Sequence, residues 1–199
     1  MASVQALLTV SVLLFQLGKL ESTQLLDRGC IPPAYGTRVV GGQDAARSPW
    51  MAYLIRNNAF ACGGSLITHP NIRPICILLN PNLRATINRI QEFVLTGWGQ
   101  TSPFYPVMPT RLQHMRVTRY NYPLCYNQVE KICASNPSKF ACSGDSGSPL
   151  GAHVMYNVTK IFAQFGVAST VTSCLGYGIY TDVFHHTPWI LQVIRLYRN

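Results

Sequence analysis

No stretch of this 199-residue chain is long and apolar enough to cross a bilayer as a helix. No Cys-x-x-Cys pair occurs, and none of the seven cysteines stands in metal-ligand spacing with a histidine, so no zinc or other metal site is expected. There is no basic run either. The sixteen Lys and Arg outnumber seven Asp and Glu, but they are scattered, so a formal charge of +9 reads as a diffusely basic, solvated surface. Binding of nucleic acid is not expected. Carboxylates are scarcest of all in the first half, where none occurs between Asp44 and Glu92.

What is present points to the secretory route. Ala6 to Gly18 is almost uninterrupted apolar or small and is followed by polar Lys19-Leu20-Glu21-Ser22-Thr23. A run of this length sits where a signal peptide's apolar region belongs, although no positive charge precedes it. We read residues 1–22 as a signal peptide and the protein as soluble, secreted and extracellular. Behind such a leader the cysteines read as disulfides, and their odd number leaves one over. Asn157-Val158-Thr159 is a glycosylation sequon, whereas Asn136-Pro137-Ser138 is disqualified by its proline.

The most specific segment is Phe140-Ala141-Cys142-Ser143-Gly144-Asp145-Ser146-Gly147-Ser148-Pro149-Leu150. Six short segments with strand character, punctuated by Gly, Pro and Asn, surround it: 93–97, 112–118, 131–134, 149–154, 161–169 and 178–183. The tail then offers Thr187 as a cap, Pro188 in the first turn and apolar Trp189, Ile190, Val193 and Ile194. That pattern predicts an amphipathic helix.

Together with Arg38-Val39-Val40-Gly41-Gly42, Gly97-Trp98-Gly99 and Gly178-Ile179-Tyr180-Thr181, in this order, the chain resembles the chymotrypsin/trypsin-like (S1) serine proteases. The resemblance implies an all-β fold, a trypsin-like double β-barrel with a C-terminal helix. It makes Ser146 the nucleophile, and Gly144 part of an oxyanion hole formed by the Gly144 and Ser146 N–H groups. Cleavage after Arg38 would free the Val39 ammonium to turn inward and pair with Asp145. Such a buried pair is a poor source of net stability but a good two-state switch. Phe140, Val171 and Gly178 fall at the substrate pocket. With Phe140 where a floor aspartate would select Arg or Lys, a trypsin-like preference is doubtful. Phe140 packing into an unused pocket is an equal alternative.

The first barrel departs from the pattern. Ala61-Cys62-Gly63-Gly64-Ser65-Leu66-Ile67-Thr68 looks like its second strand, which in the family runs into an Ala-Ala-His-Cys turn carrying the catalytic histidine. Here Thr68 passes through His69-Pro70-Asn71 directly to Ile72-Arg73-Pro74-Ile75-Cys76-Ile77-Leu78-Leu79, which resembles the end of that barrel. Val39 to Asn199 gives 161 residues, where such domains need roughly 200–250. We therefore read residues 23–38 as a short linker and 39–199 as the peptidase-like domain. Its second barrel is complete, and its first is truncated by an internal deletion near 68–72. The cysteines agree. By resemblance Cys30 pairs with Cys76, Cys125 with Cys133 and Cys142 with Cys174. That leaves Cys62, whose family partner follows the catalytic histidine, unpaired.

Nothing else supplies the triad. A serine hydroxyl needs a histidine base, itself oriented by a carboxylate. His69, His114, His153, His185 and His186 all read as surface residues. The region that should hold the orienting aspartate has no carboxylate, and Asp182 is unremarkable at its place after Tyr180-Thr181. The expectation is a secreted protease homologue or truncated isoform without proteolytic activity, triad His and Asp absent. The alternative is a serine-type endopeptidase, if the missing segment exists in the full gene product. Expected partners are protein or peptide substrates, an activating protease and protease inhibitors. No cofactor, nucleic acid or membrane is expected.

Overall fold

The computed structural model describes residues 25–32, 48–102, 104, 105, 107–121, 125, 130–138, 141–171 and 176–197. The expected signal peptide, the junction Arg38-Val39, and Phe140 and Cys174 lie outside the described residues, and Val171 is described by its backbone alone.

Alternation of apolar and polar residues builds the larger part. Strands β3 (Glu92–Gly97), β4 (Gln113–Arg119), β5 (Lys131–Ser135), β6 (Pro149–Tyr156), β7 (Thr159–Val171) and β8 (Gly178–Asp182) pair antiparallel into a closed barrel. The order around it is β3-β4-β5-β8-β7-β6, and β3 closes on β6 through Val94–Gly151 and Leu95–Leu150. Closure leaves this sheet no free edge. With a side-chain period of two, Phe93 and Leu95, Leu150 and Ala152, and Ile161, Ala163 and Phe165 all fall inside. The six expected strands are these, with ends shifted by a few residues. β6 and β7 run longer than the pattern predicts because a two-residue turn joins them, with Asn157 at φ 52°.

Helix α2 (Thr187–Tyr197) closes the chain. The Thr187 hydroxyl donates to the Phe184 carbonyl, and Ile190 packs inward while Trp189 stays exposed. Of the apolar positions read from the sequence, Ile190, Val193 and Ile194 are partly buried and Trp189 alone stays exposed. No helix among the described residues is long and apolar enough to cross a membrane.

The remainder is small. Strands β1 (Met51–Arg56) and β2 (Ala59–Ser65) form a two-stranded antiparallel hairpin. Asn57 and Asn58 occupy its turn with φ of 51° and 60°, the left-handed pair that a two-residue turn matching strand twist requires. The crossing segment 72–79 binds this hairpin to the barrel. The Ile75 N–H donates to the Leu66 carbonyl, and the Gln164 N–H of β7 donates to the Cys76 carbonyl. Trp50, Ile75, Ile77 and Val183 form a second apolar cluster at this seam, with Trp50 stacked on Phe162.

Residues 25–32 dock on the outside of the crossing segment. Leu25 bridges to Leu78, the Leu26 N–H donates to the Ile77 carbonyl, and Cys30 is disulfide-bonded to Cys76. The Asp27 carboxylate accepts from the Gly29 N–H and the Thr68 hydroxyl, which fixes the chain just where it turns away from β2. A five-residue helix, α1 (Arg84–Asn88), precedes β3.

Candidate functional site

Ser146 stands at the tip of a tight turn between the barrel and the hairpin. The Asp145 N–H donates to the Cys142 carbonyl and the Ser148 N–H to the Asp145 carbonyl, folding the turn on itself. From the barrel side the Gly147 N–H donates to the Ala168 carbonyl. From the hairpin the Gly63 N–H of β2 donates to the Ser146 carbonyl at 3.0 Å. Gly144 and Gly147 take φ of 95° and 81°, which favours glycine at both. A methyl group at Gly63 would collide with the Ser148 hydroxyl, so β2 lies flush against the turn.

The Asp145 side chain points inward. Its carboxylate accepts from the Gly99 N–H (Oδ1, 2.9 Å) and from the Cys142 N–H (Oδ2, 2.9 Å). A methyl at Gly99 would fall on the carboxylate itself, which is why Gly97-Trp98-Gly99 needs its second glycine here. Burial pushes the Asp145 carboxyl above the usual carboxylate range, and the two N–H donors partly offset this. Among the described residues no cation pairs with it.

The Ser146 side chain is exposed, and its hydroxyl has no hydrogen-bond partner among the described residues. The N–H groups of Gly144 and Ser146 likewise donate to no acceptor there. Beside them a shallow pocket is lined by Ala141, Ala168, Ser169, Thr170, Gly178 and Tyr180. Val171 and Gly178 face each other across the β7–β8 pairing. A methyl on Gly178 would come within 2.6 Å of the Tyr180 hydroxyl. That hydroxyl is buried without a hydrogen-bond partner among the described residues. Its ionisation is pushed well above the phenol range by burial and then by the nearby Asp145 charge.

No histidine hydrogen-bonds to Ser146 among the described residues. The His69 Nδ1 accepts from the Asn71 N–H (3.1 Å) and the Ile72 N–H (2.9 Å). Two backbone donors thus engage the Nδ1 lone pair. His114 is exposed on the outer face of β4. His153 packs edge-on against Phe162, and burial, then Lys160 and Arg116, hold its pKa down. The rings of His185 and His186 contact each other. Asp182 is buried and engaged: Arg84 of α1 forms an ion pair with it at 2.6 Å, and the His185 N–H donates to its other oxygen. Sequence reasoning missed this pair, which joins residues 98 apart and leaves no local pattern.

Cys125 is disulfide-bonded to Cys133, and Cys142 is also disulfide-bonded. Cys62, opposite Leu54 in the hairpin, is a free, partly buried thiol. Among the described residues no cluster of His, Cys, Asp and Glu could hold a metal ion.

A family model described as Trypsin matches residues 68–190. Trypsin-1 from Astacus astacus is 33% identical over 139 residues, which cover 64% of this chain and 54% of that protein. Serine protease grass from Drosophila melanogaster is 27% identical over 141 residues, covering 62% of this chain and 36% of that protein. Snake venom serine protease KN5 from Trimeresurus stejnegeri is 28% identical over 137 residues, covering 62% and 48%. The chain thus spans between about a third and about half the length of these relatives.

Proposed function

The chain belongs to the trypsin family, and from that premise we propose that it is a secreted protease homologue that does not hydrolyse peptide bonds in the form given by this sequence. The observation that carries this reading is the state of Ser146. Its hydroxyl is exposed and unpartnered among the described residues, and the Nδ1 of His69, which follows Thr68 in sequence, is held by two backbone donors. In this family, removing triad members leaves only roughly 10³–10⁴-fold acceleration over water. That residue comes from the oxyanion hole and from binding. Peptide hydrolysis is slow enough that it would not sustain a biological rate.

In this reading Gly144 and Ser146 keep the N–H pair of an oxyanion hole, and Phe140, Val171 and Gly178 border the pocket. Cleavage at Arg38 would bring the Val39 ammonium to the buried Asp145 carboxylate. The leader and the disulfides support secretion, and Asn157, at the exposed tip of the β6–β7 hairpin, would carry a glycan. Partners would be the protein or peptide chains that the pocket holds, an activating protease and protease inhibitors.

A second reading is favoured by one observation. The N–H pair, unengaged among the described residues, and the formed pocket beside an exposed serine lack only a base and its orienting carboxylate to make a serine endopeptidase. It holds if the gene encodes an Ala-Ala-His-Cys segment between the codons for Thr68 and Ile72. For the chain as given, treatment with a fluorophosphonate probe after cleavage at Arg38 should leave Ser146 unlabelled. Stoichiometric labelling that disappears in Ser146→Ala would overturn the inactive reading.

A further inference from the structure

Strand β1 has a neighbour on one side only. It pairs with β2, and among the described residues no other strand lies against it. Which groups it leaves unpaired follows from its surroundings. The Gly63 N–H of β2 donates to the Ser146 carbonyl, so Gly63 turns its backbone groups away from β1. Residues directly opposite in an antiparallel pair either exchange their N–H and C=O groups or both turn them outward. Tyr53, opposite Gly63, therefore points its own outward, as does Met51, whose N–H donates to the Ser48 carbonyl. The register shift between Leu54 and Ile55 comes from one extra residue on β2, Ala61, so β1 keeps its alternation and Ile55 points outward too. The outward groups of Tyr53 and Ile55 make no hydrogen bond among the described residues. Free edges are normally blunted by a Lys, a Pro or an inward-pointing charge. Met51 to Ile55 contains none of these, and Tyr53, Leu54 and Ile55 are exposed in succession.

We propose that this edge pairs antiparallel with β1 of a second copy of the chain, about a two-fold axis at Leu54. The occupant follows from self-complementarity. Tyr53 and Ile55 of one copy lie opposite Ile55 and Tyr53 of the other, and the two pairs exchange their outward N–H and C=O groups in full. Between them Leu54 meets Leu54 of the second copy. Tyr53 shares a face with Ile55 and touches Phe60 and Trp98, while Leu54 shares the other face with Ala52 and Gly64. The pairing thus sets an aromatic ring against a β-branched side chain twice and leucine against leucine once. Cross-strand pairs of this kind stabilise sheets. Charge agrees with the register. Arg56, the one charged residue of β1, falls opposite Ala52 of the second copy, which keeps the two Arg56 roughly 14 Å apart along the strands.

Two two-stranded sheets become one of four strands, past the three that give a sheet independent stability. The area is small. The three exposed side chains bury on the order of 300 Å² per copy, against roughly 600 Å² per partner at the low end of stable complexes. The dimer is accordingly weak and set by concentration, and the formal charge of +9 on each copy opposes it most at low salt.

The test has two arms, both on the full chain carrying Cys62→Ser so that the free thiol takes no part. Sedimentation velocity from about 1 to 300 µM, at about 150 mM salt, should show the mass rising toward that of a dimer. Leu54→Lys sets two ammonium groups against each other on the axis and should weaken association at least about tenfold. Met155→Lys, the same change of charge at an exposed apolar residue of β6, should stay within about threefold. In the second arm Leu54→Cys should oxidise to a covalent dimer on a non-reducing gel. Ala52→Cys, on the same face but opposite Arg56 of the second copy, should not, because its two Cα atoms stand roughly 14 Å apart and a disulfide spans no more than about 7 Å. A chain that stays monomeric at every concentration overturns the proposal. So does equal weakening in Leu54→Lys and Met155→Lys, or cross-linking at 52 as efficient as at 54. Circular dichroism reports whether Leu54→Lys keeps its fold, and the cross-linking arm decides the matter if it does not.

Discussion

The barrel and the hairpin half follow the same strand chemistry and end differently. In β3–β8 every strand has two neighbours, and alternate side chains meet in one core. In β1 and β2 each strand has one neighbour, and Tyr53, Leu54 and Ile55 remain 48%, 47% and 65% exposed. Three consecutive exposed apolar residues mean that the far end of β1 is only partly covered on either face, although Tyr53 touches Phe60 and Trp98. What holds the hairpin is its seam, through Trp50, Ile75 and Ile77, not a core of its own. The difference teaches that a strand's sequence settles which faces are apolar, while the neighbours it is given decide whether those faces are buried.

Large-to-small substitutions sharpen this contrast most. Phe165→Ala in the barrel core should cost about 3–5 kcal/mol and Ile77→Ala at the seam about 2–5 kcal/mol, both read from urea midpoints. Loss at Phe165 should unfold the whole chain. Ile77→Ala should expose the hairpin first, seen as faster hydrogen exchange in β1 and β2 than in β3 to β8. Equal exchange in both regions would make them one cooperative unit and break the comparison.

The turn where the two regions meet gives a smaller effect, and one that depends on pH. Asp145 has a folded pKa above its unfolded value, so its contribution is fully present below the unfolded pKa. It is lost as pH rises through the folded one. Folding stability should therefore fall as pH climbs above the ordinary carboxylate range. Asp145→Asn should flatten that slope while lowering stability throughout, because one N–H donor then faces an amide NH₂. Urea denaturation at several pH values between 4 and 7 measures it, and an unchanged slope would remove Asp145 as its source.

At the low end, Ile55→Lys on the exposed end of β1 should change stability by no more than about 0.5 kcal/mol. It should reduce self-association measured by light scattering. A loss of several kcal/mol would show that the exposed face is covered after all.

The barrel was legible in the sequence because its short segments, such as 93–97, 131–134 and 178–183, have strand character and are punctuated by Gly, Pro and Asn. The β6–β7 hairpin was cut short because Asn157 reads as a sequon before it reads as a turn residue. At the site, the sequence exposes residue types but not engagements. That Asp182 is held by Arg84, or that His69 spends its Nδ1 on backbone donors, depends on distances no spacing rule carries. Tyr180 gave no signal either: an aromatic in a strand reads as core, and only the fold brings its hydroxyl to a pocket beside Asp145.

The bond between Cys30 and Cys76 encloses everything from Ile31 to Ile75, including the whole hairpin. A single backbone cut anywhere inside that interval leaves both fragments covalently joined. On a non-reducing gel a nicked molecule therefore keeps its full mass, and only reduction shows the cut as two bands.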